Sequence, residues 1–143
     1  MFILDTDHLA LLEQRRGVEC ENLIARLARH SPSSFFATIA SFHEQVNGWN
    51  QYFAKAISSE GVIKGYHRLE LLLTNYSEAQ VLPFGSSAAE IYDELRNQRI
   101  RVATMDLRIG AIALANQMTI LTRNTVDFER IPNLSFEDWS TKP

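Results

Sequence analysis

The chain has a single cysteine, Cys20, so no internal disulfide can form. That fits a reducing cytoplasm, and Cys20, set in VECEN with no second thiol nearby, reads as structurally incidental. No apolar run approaches the ~20 residues that cross a bilayer, so no transmembrane helix is expected. The opening MFILD has no basic segment ahead of its apolar stretch and reaches an acid at position 5, which argues against a signal peptide. No histidine or cysteine pair shows zinc spacing. Repeats, low-complexity tracts and linkers are also missing. The 143 residues suit one domain, 1–143, whose core needs no disulfide or structural metal. Positive charge is in short supply too: 14 Lys and Arg face 17 acids, a net charge of −3. A nucleic-acid binder needs cations for phosphate contacts. If four of the acids hold metal, 13 remain against 14 cations, and RNA binding is permitted but not demanded.

What is present is an alternation of short apolar runs and helical patterns. Phe2-Ile3-Leu4 reads as a strand buried on both faces, ending at Asp5. Thr6 or Asp7 is placed to cap a helix beginning at His8. A helix is predicted at 19–30, then a turn at 30–33 and a second buried strand at 35–40. Ser41 and Glu44 have capping-box spacing and open a helix carrying Phe42, Val46, Trp49 and Phe53. A helix at 60–74 turns Leu69, Leu72 and Leu73 toward the core. Val81-Leu82-Pro83-Phe84 is a short strand whose proline favours a sheet edge or the strand's end. Ser87 and Glu90 repeat the capping-box spacing for a helix to about residue 97. Asp106 begins a helix of small residues, 119–122 is a further strand, 127–130 a helical turn and 134–136 a last strand. The pattern is α/β with a short-stranded, mainly parallel central sheet flanked by helices in three layers. Right-handed crossovers bring the C-terminal ends of its strands to one edge, where ligands bind in open parallel sheets.

Four acids from distant segments fall at that edge: Asp5, Glu44, Asp106 and Asp127. Two such charges about 4 Å apart repel by roughly 4 kcal/mol at an effective dielectric near 20. Either they stand farther apart, or some are protonated, or a hard cation lies between them. Carboxylates suit Mg²⁺ or Mn²⁺, which can activate water and stabilise a leaving oxygen in phosphodiester chemistry. Each acid also has a plainer reading. Glu44 would close the Ser41 box, Asp106 would favour a helix N-terminus, and Asp127 would cap the turn after it. Asp5, directly after Phe-Ile-Leu, is hardest to explain without a partner. Asp7 reads as a cap or a supporting group rather than a ligand. Thr6, Thr122 and Asn124 are placed to hydrogen-bond the carboxylates. Arg123, and Arg96, Arg99 and Arg101, either meet phosphates or are solvated charges. His8, His43 and His67 have no obvious nucleophile to serve, His30 sits in a turn, and Trp49, Tyr52 and Phe53 read as core or partner surface.

Taken in order, ILDTDHL, ASFHEQVNGW, MDLRIGAIALA and LTRNTVDFERIPNLSFEDW resemble a PIN domain, in particular the VapC toxins of prokaryotic toxin–antitoxin pairs. The likeness runs from Phe2 to about Trp139, and TRNTVDFERIP is its most specific part. It implies a Mg²⁺- or Mn²⁺-dependent endoribonuclease in the cytoplasm, with RNA as substrate. In it Asp5, Glu44 and Asp106 are the main acids and metal ligands, Asp127 completes the site, and Thr122 and Asn124 support it. It also implies a homodimer held inactive by a VapB-like antitoxin. Two positions depart from the pattern: Asp7 stands where many relatives have Asn, and Gln117 where Gly often precedes the strand. Two other functions remain open. Asp5-Thr6-Asp7 matches the D-x-D start of haloacid-dehalogenase-type phosphatases, although no paired-Asp motif follows. A catalytically silent PIN-like binding module is the second, although it would have no reason to bear the repulsion of the acids.

Overall fold

A computed structural model describes every residue from Met1 to Pro143. It contains β1 (Phe2–Leu4), α1 (Thr6–Gln14), α2 (Val18–Leu27), a 3-10 turn (Pro32–Ser34), β2 (Phe35–Thr38), α3 (Ile39–Lys55), α4 (Ser59–Glu78), β3 (Val81–Leu82), α5 (Ser86–Asn97), α6 (Thr104–Asn116), β4 (Thr119–Leu121), α7 (Thr125–Phe128) and β5 (Phe136–Glu137). The strands form one sheet in the order β3-β2-β1-β4-β5, and every pairing is parallel. The expected α/β architecture is therefore present, with β3 at an edge as Pro83 suggested.

Strand alternation divides the core into two layers. Ile3 pairs in register with Ile120 and Leu4 with Leu121. The two isoleucines face a cluster with Leu95, Leu107, Ile109, Ile112 and Phe128. The two leucines face the other way, toward Leu11, Leu23 and Trp139. A strand buried on both faces needs continuous apolar sequence, as FIL and TIL supply. α6 is buried from Ile109 through Ala113. It comes this close because Gly110 has no side chain: a Cβ there would sit 2.6 Å from Ile131 Cδ1.

Several boundaries differ from the sequence reading. β2 stops at Thr38, which caps α3 by accepting from the Ser41 amide at 3.0 Å. Ser41 thus lies inside the helix, and no Ser41–Glu44 capping box exists. α5 likewise starts from Gly85 with no side-chain cap, so the Ser87–Glu90 box is absent. Asp5, not Thr6 or Asp7, caps α1. Leu73 is 64% exposed while Leu72 is buried, because α4 buries only a narrow stripe. Gln117 ends α6 with φ 52° and ψ 44°, the left-handed conformation that glycine adopts without strain. No helix is long and apolar enough to cross a membrane.

Candidate active site

Where β1 ends, the Asp5 amide still bonds to the Leu121 carbonyl at 3.0 Å, which fixes the residue at the sheet edge. Its side chain is only 4% exposed. Oδ1 accepts from the Thr6 amide at 2.8 Å and Oδ2 from the Thr122 hydroxyl, also at 2.8 Å. Those two bonds do not offset the cost of burial. Desolvation, then the charge of Asp7, with a smaller contribution from Asp106, raises the Asp5 pKa to about 7.

Asp7 stands next to it with the opposite balance. Burial opposes its charge, but bonds from His8 and the Arg123 amide outweigh it, and its pKa is lowered. Oδ1 lies 2.8 Å from His8 Nδ1, and Oδ2 accepts from the Arg123 amide at 2.9 Å. The Thr122 hydroxyl lies 3.3 Å from the same Oδ2. A hydroxyl has one proton, and the shorter contact to Asp5 takes it. Asp7 is thus a bracket between α1 and the loop after β4.

That loop carries Asn124, whose side-chain amide donates to Asp106 Oδ2 at 3.2 Å and to Asp127 Oδ2 at 3.0 Å. Its backbone amide donates to Thr122 Oγ1 at 3.0 Å. Asp106 occupies the first turn of α6. Burial, then the charges of Glu44, Asp127 and Asp7, raises its pKa to about 6, against the bond from Asn124. With no capping box to close, Glu44 is a half-buried carboxylate in α3 whose charge acts on Asp106. Thr6 contributes a buried hydroxyl with no partner in the chain. The structure therefore brings Asp5, Asp7, Glu44, Asp106 and Asp127 into electrostatic contact around Thr122 and Asn124. No three of the chain's His, Cys, Asp and Glu side chains gather into a ready-made metal cage.

The remaining candidates are placed less centrally. Arg123 points its guanidinium at Glu19, 3.1 Å away. Arg96, Arg99 and Arg101 are exposed, with Arg96 over the Tyr92 ring. Trp49, Tyr52 and Phe53 continue into Tyr66 as an aromatic seam between α3 and α4. Two features were missed in the sequence. Tyr76, on α4, donates to Gln45 Oε1 at 2.7 Å. Burial, then the charges of Glu13, Glu44 and Asp5, holds its phenol well above the usual range, so it stays protonated beside the acids. His8 is fully buried rather than idle. Neither residue announces itself locally, since Tyr76 donates to a residue of α3 and His8 Nε2 meets the distant Trp139 amide.

No family model matches the chain. A stretch of 58 residues is 45% identical to a protein named Ribonuclease VapC from Rickettsia bellii, covering 38% of this chain and 43% of that one. The chain spans about half the length of the curated relatives it matches. Among solved structures, DNA-bound VapBC from Salmonella typhimurium superposes with a TM-score of 0.73 at 23% identity, over 96% of this chain and 97% of that one. The chain has the fold of these VapC structures, and part of its sequence is similar to VapC proteins. The VapC likeness extends to VapBC2 from Rickettsia felis, bound to a promoter DNA fragment, with a TM-score of 0.69 at 22% identity over 96% and 98% of the two chains. The five-stranded parallel sheet is the framework shared with those VapC structures, and its C-terminal edge is where this chain collects its acids.

Proposed function

We propose that this chain is a Mg²⁺- or Mn²⁺-dependent endoribonuclease, the toxin of a VapBC-type pair. The observation that carries the reading is Asp5 and Asp106, two carboxylates whose affinity for protons is raised by burial and by neighbouring acids. No cation of the chain lies within ion-pairing distance of either. A divalent ion would relieve that excess. The donor set fits one: all oxygen, with Asp5, Asp106 and Glu44 as its holders. Mg²⁺ commonly takes one or two carboxylates and fills its shell with water and phosphate, so a preformed three-residue cage is not required.

When bound, the ion supplies positive charge to the scissile phosphate and lowers the pKa of water. The rest falls to the chain. Asp127 and Glu44 orient or deprotonate the attacking water. Asn124 keeps Asp106 and Asp127 at a fixed spacing, and Thr122 holds Asp5 in the orientation that presents its carboxylate. The phosphatase alternative needs Asp7 as a proton donor. Asp7 instead has a lowered pKa and both oxygens engaged, which favours the nuclease.

RNA as substrate, a VapB-like antitoxin as partner, a homodimer and a cytoplasmic location belong to the same reading. It is supported by the names of the relatives and by the VapBC assemblies among the similar structures. The test is cleavage of total RNA by purified protein with Mg²⁺, Mn²⁺ or EDTA. Activity should require the ion and disappear in Asp5→Asn and Asp106→Asn. Full cleavage in EDTA, or by Asp5→Asn, would overturn it.

A further inference from the structure

His30, His43 and His67 are exposed, but His8 is completely buried in the first turn of α1. Both of its ring nitrogens are engaged. The Trp139 backbone amide lies 3.2 Å from Nε2, and Asp7 Oδ1 lies 2.8 Å from Nδ1. An amide N–H only donates, so Nε2 is the unprotonated nitrogen and the proton of the neutral ring sits on Nδ1. It is donated to Asp7. The Asp138 carboxylate, 3.8 Å from Nε2, is beyond hydrogen-bond reach and is occupied by the amide and hydroxyl of Ser140.

The other oxygen of Asp7 holds the Arg123 amide, and the next residue holds Asp106 and Asp127. An unbroken line of bonds thus runs from the C-terminal segment through His8 and Asp7 to the loop that spaces two of the acids. We propose that His8 is a positioning residue: as its Nδ1–H tautomer it fixes Asp7 and, through Asp7, the Arg123-Asn124 loop. The effect on cleavage rests on the ribonuclease reading; the effect on the loop does not. Outer partners of metal-site carboxylates commonly change affinity or activity by about 10- to 100-fold.

The two nitrogens can be tested separately. In His8→Asn the side-chain amide replaces the Nδ1 donor and loses the link to Trp139. In His8→Gln it reaches the Nε2 position and loses the donor to Asp7. His8→Gln should lower kcat by about 10- to 100-fold with KM little changed, and His8→Asn should rescue most of that loss. Equal losses in both variants, in proportion to their stability, would overturn the proposal in favour of simple core packing. Two readouts do not need RNA. Nitrogen-15 NMR of the wild-type imidazole should place the proton on Nδ1, and a proton on Nε2 would refute the geometry. The Arg123 amide should exchange faster in His8→Gln than in wild type or His8→Asn while the Ile120 amide stays protected. Unchanged Arg123 exchange in folded His8→Gln would also refute it. If the wild type cleaves no RNA, the ribonuclease reading fails, and the NMR and exchange results still decide the role of His8. If neither variant folds, the wild-type tautomer decides it.

Discussion

Replacing Asp5 with Asn should make the metal-free protein more stable at pH 8, although it removes a residue placed at the centre of the site. The carboxyl titrates at about 3.8 when unfolded and about 7 when folded. The folded state therefore binds this proton more tightly. The ionised group destabilises the fold progressively as pH rises from about 4, and fully above 7. A shift of about three units corresponds to roughly 4 kcal/mol at pH 8. Asn removes the charge but has one acceptor oxygen where Asp5 uses two, for Thr6 and Thr122. Losing one buried hydrogen bond costs about 1–3 kcal/mol. The net gain at pH 8 is about 2 kcal/mol, or a rise in Tm of roughly 5 °C for a chain of this size. By pH 5 wild-type Asp5 is largely protonated, and the gain should vanish. Thermal melts of both proteins in EDTA at pH 5 and 8 measure this directly. A variant no more stable than wild type at pH 8, with the same pH dependence, would refute the reasoning. Millimolar Mg²⁺ or Mn²⁺ should reverse the order, because an ion that binds only the folded wild type stabilises it by mass action.

Other substitutions probe the fold that holds the site. Gln117→Gly should stabilise by up to about 1 kcal/mol, because it relieves an L side chain in the left-handed conformation; a lower urea midpoint would contradict this. Gly110→Ala should cost about 1–3 kcal/mol, since its Cβ would press on buried Ile131, and an unchanged midpoint would show that α6 packs less tightly than described. Thr122→Val should push the Asp5 pKa higher still by removing a bond that favours its charged form. The fall in stability should then continue to higher pH before it levels off, a shift that melts across pH 6–9 would detect.

The gathering of the acids was legible because it follows from chain direction. Once FIL and TIL are read as parallel buried strands, whatever follows them lies on one edge. The caps were less legible. Thr38 and Ser41 offer two nearby registers for the start of α3, and the sequence alone does not say where β2 stops pairing. Thr38 pairs with Leu82 of β3, a contact 44 residues away, so the sheet decides. With that decided, Glu44 loses its local partner and turns to Asp106. His8 was illegible for the same reason, since the atom that fixes its tautomer lies 131 residues away. Gln117 could be flagged because its departure from a glycine pattern concerns backbone shape, which the fold enforced.

Both edges of the sheet consist of two-residue strands, β3 and β5. Recognition by strand addition relies on a row of main-chain bonds along an open edge, and two residues supply almost none. Any polypeptide that grips this chain must therefore do so through helix faces and side chains. Specificity between such partners is then written in residues that can diverge, not in a backbone that every peptide shares. The same short edges leave little template for copies of the chain to stack upon one another.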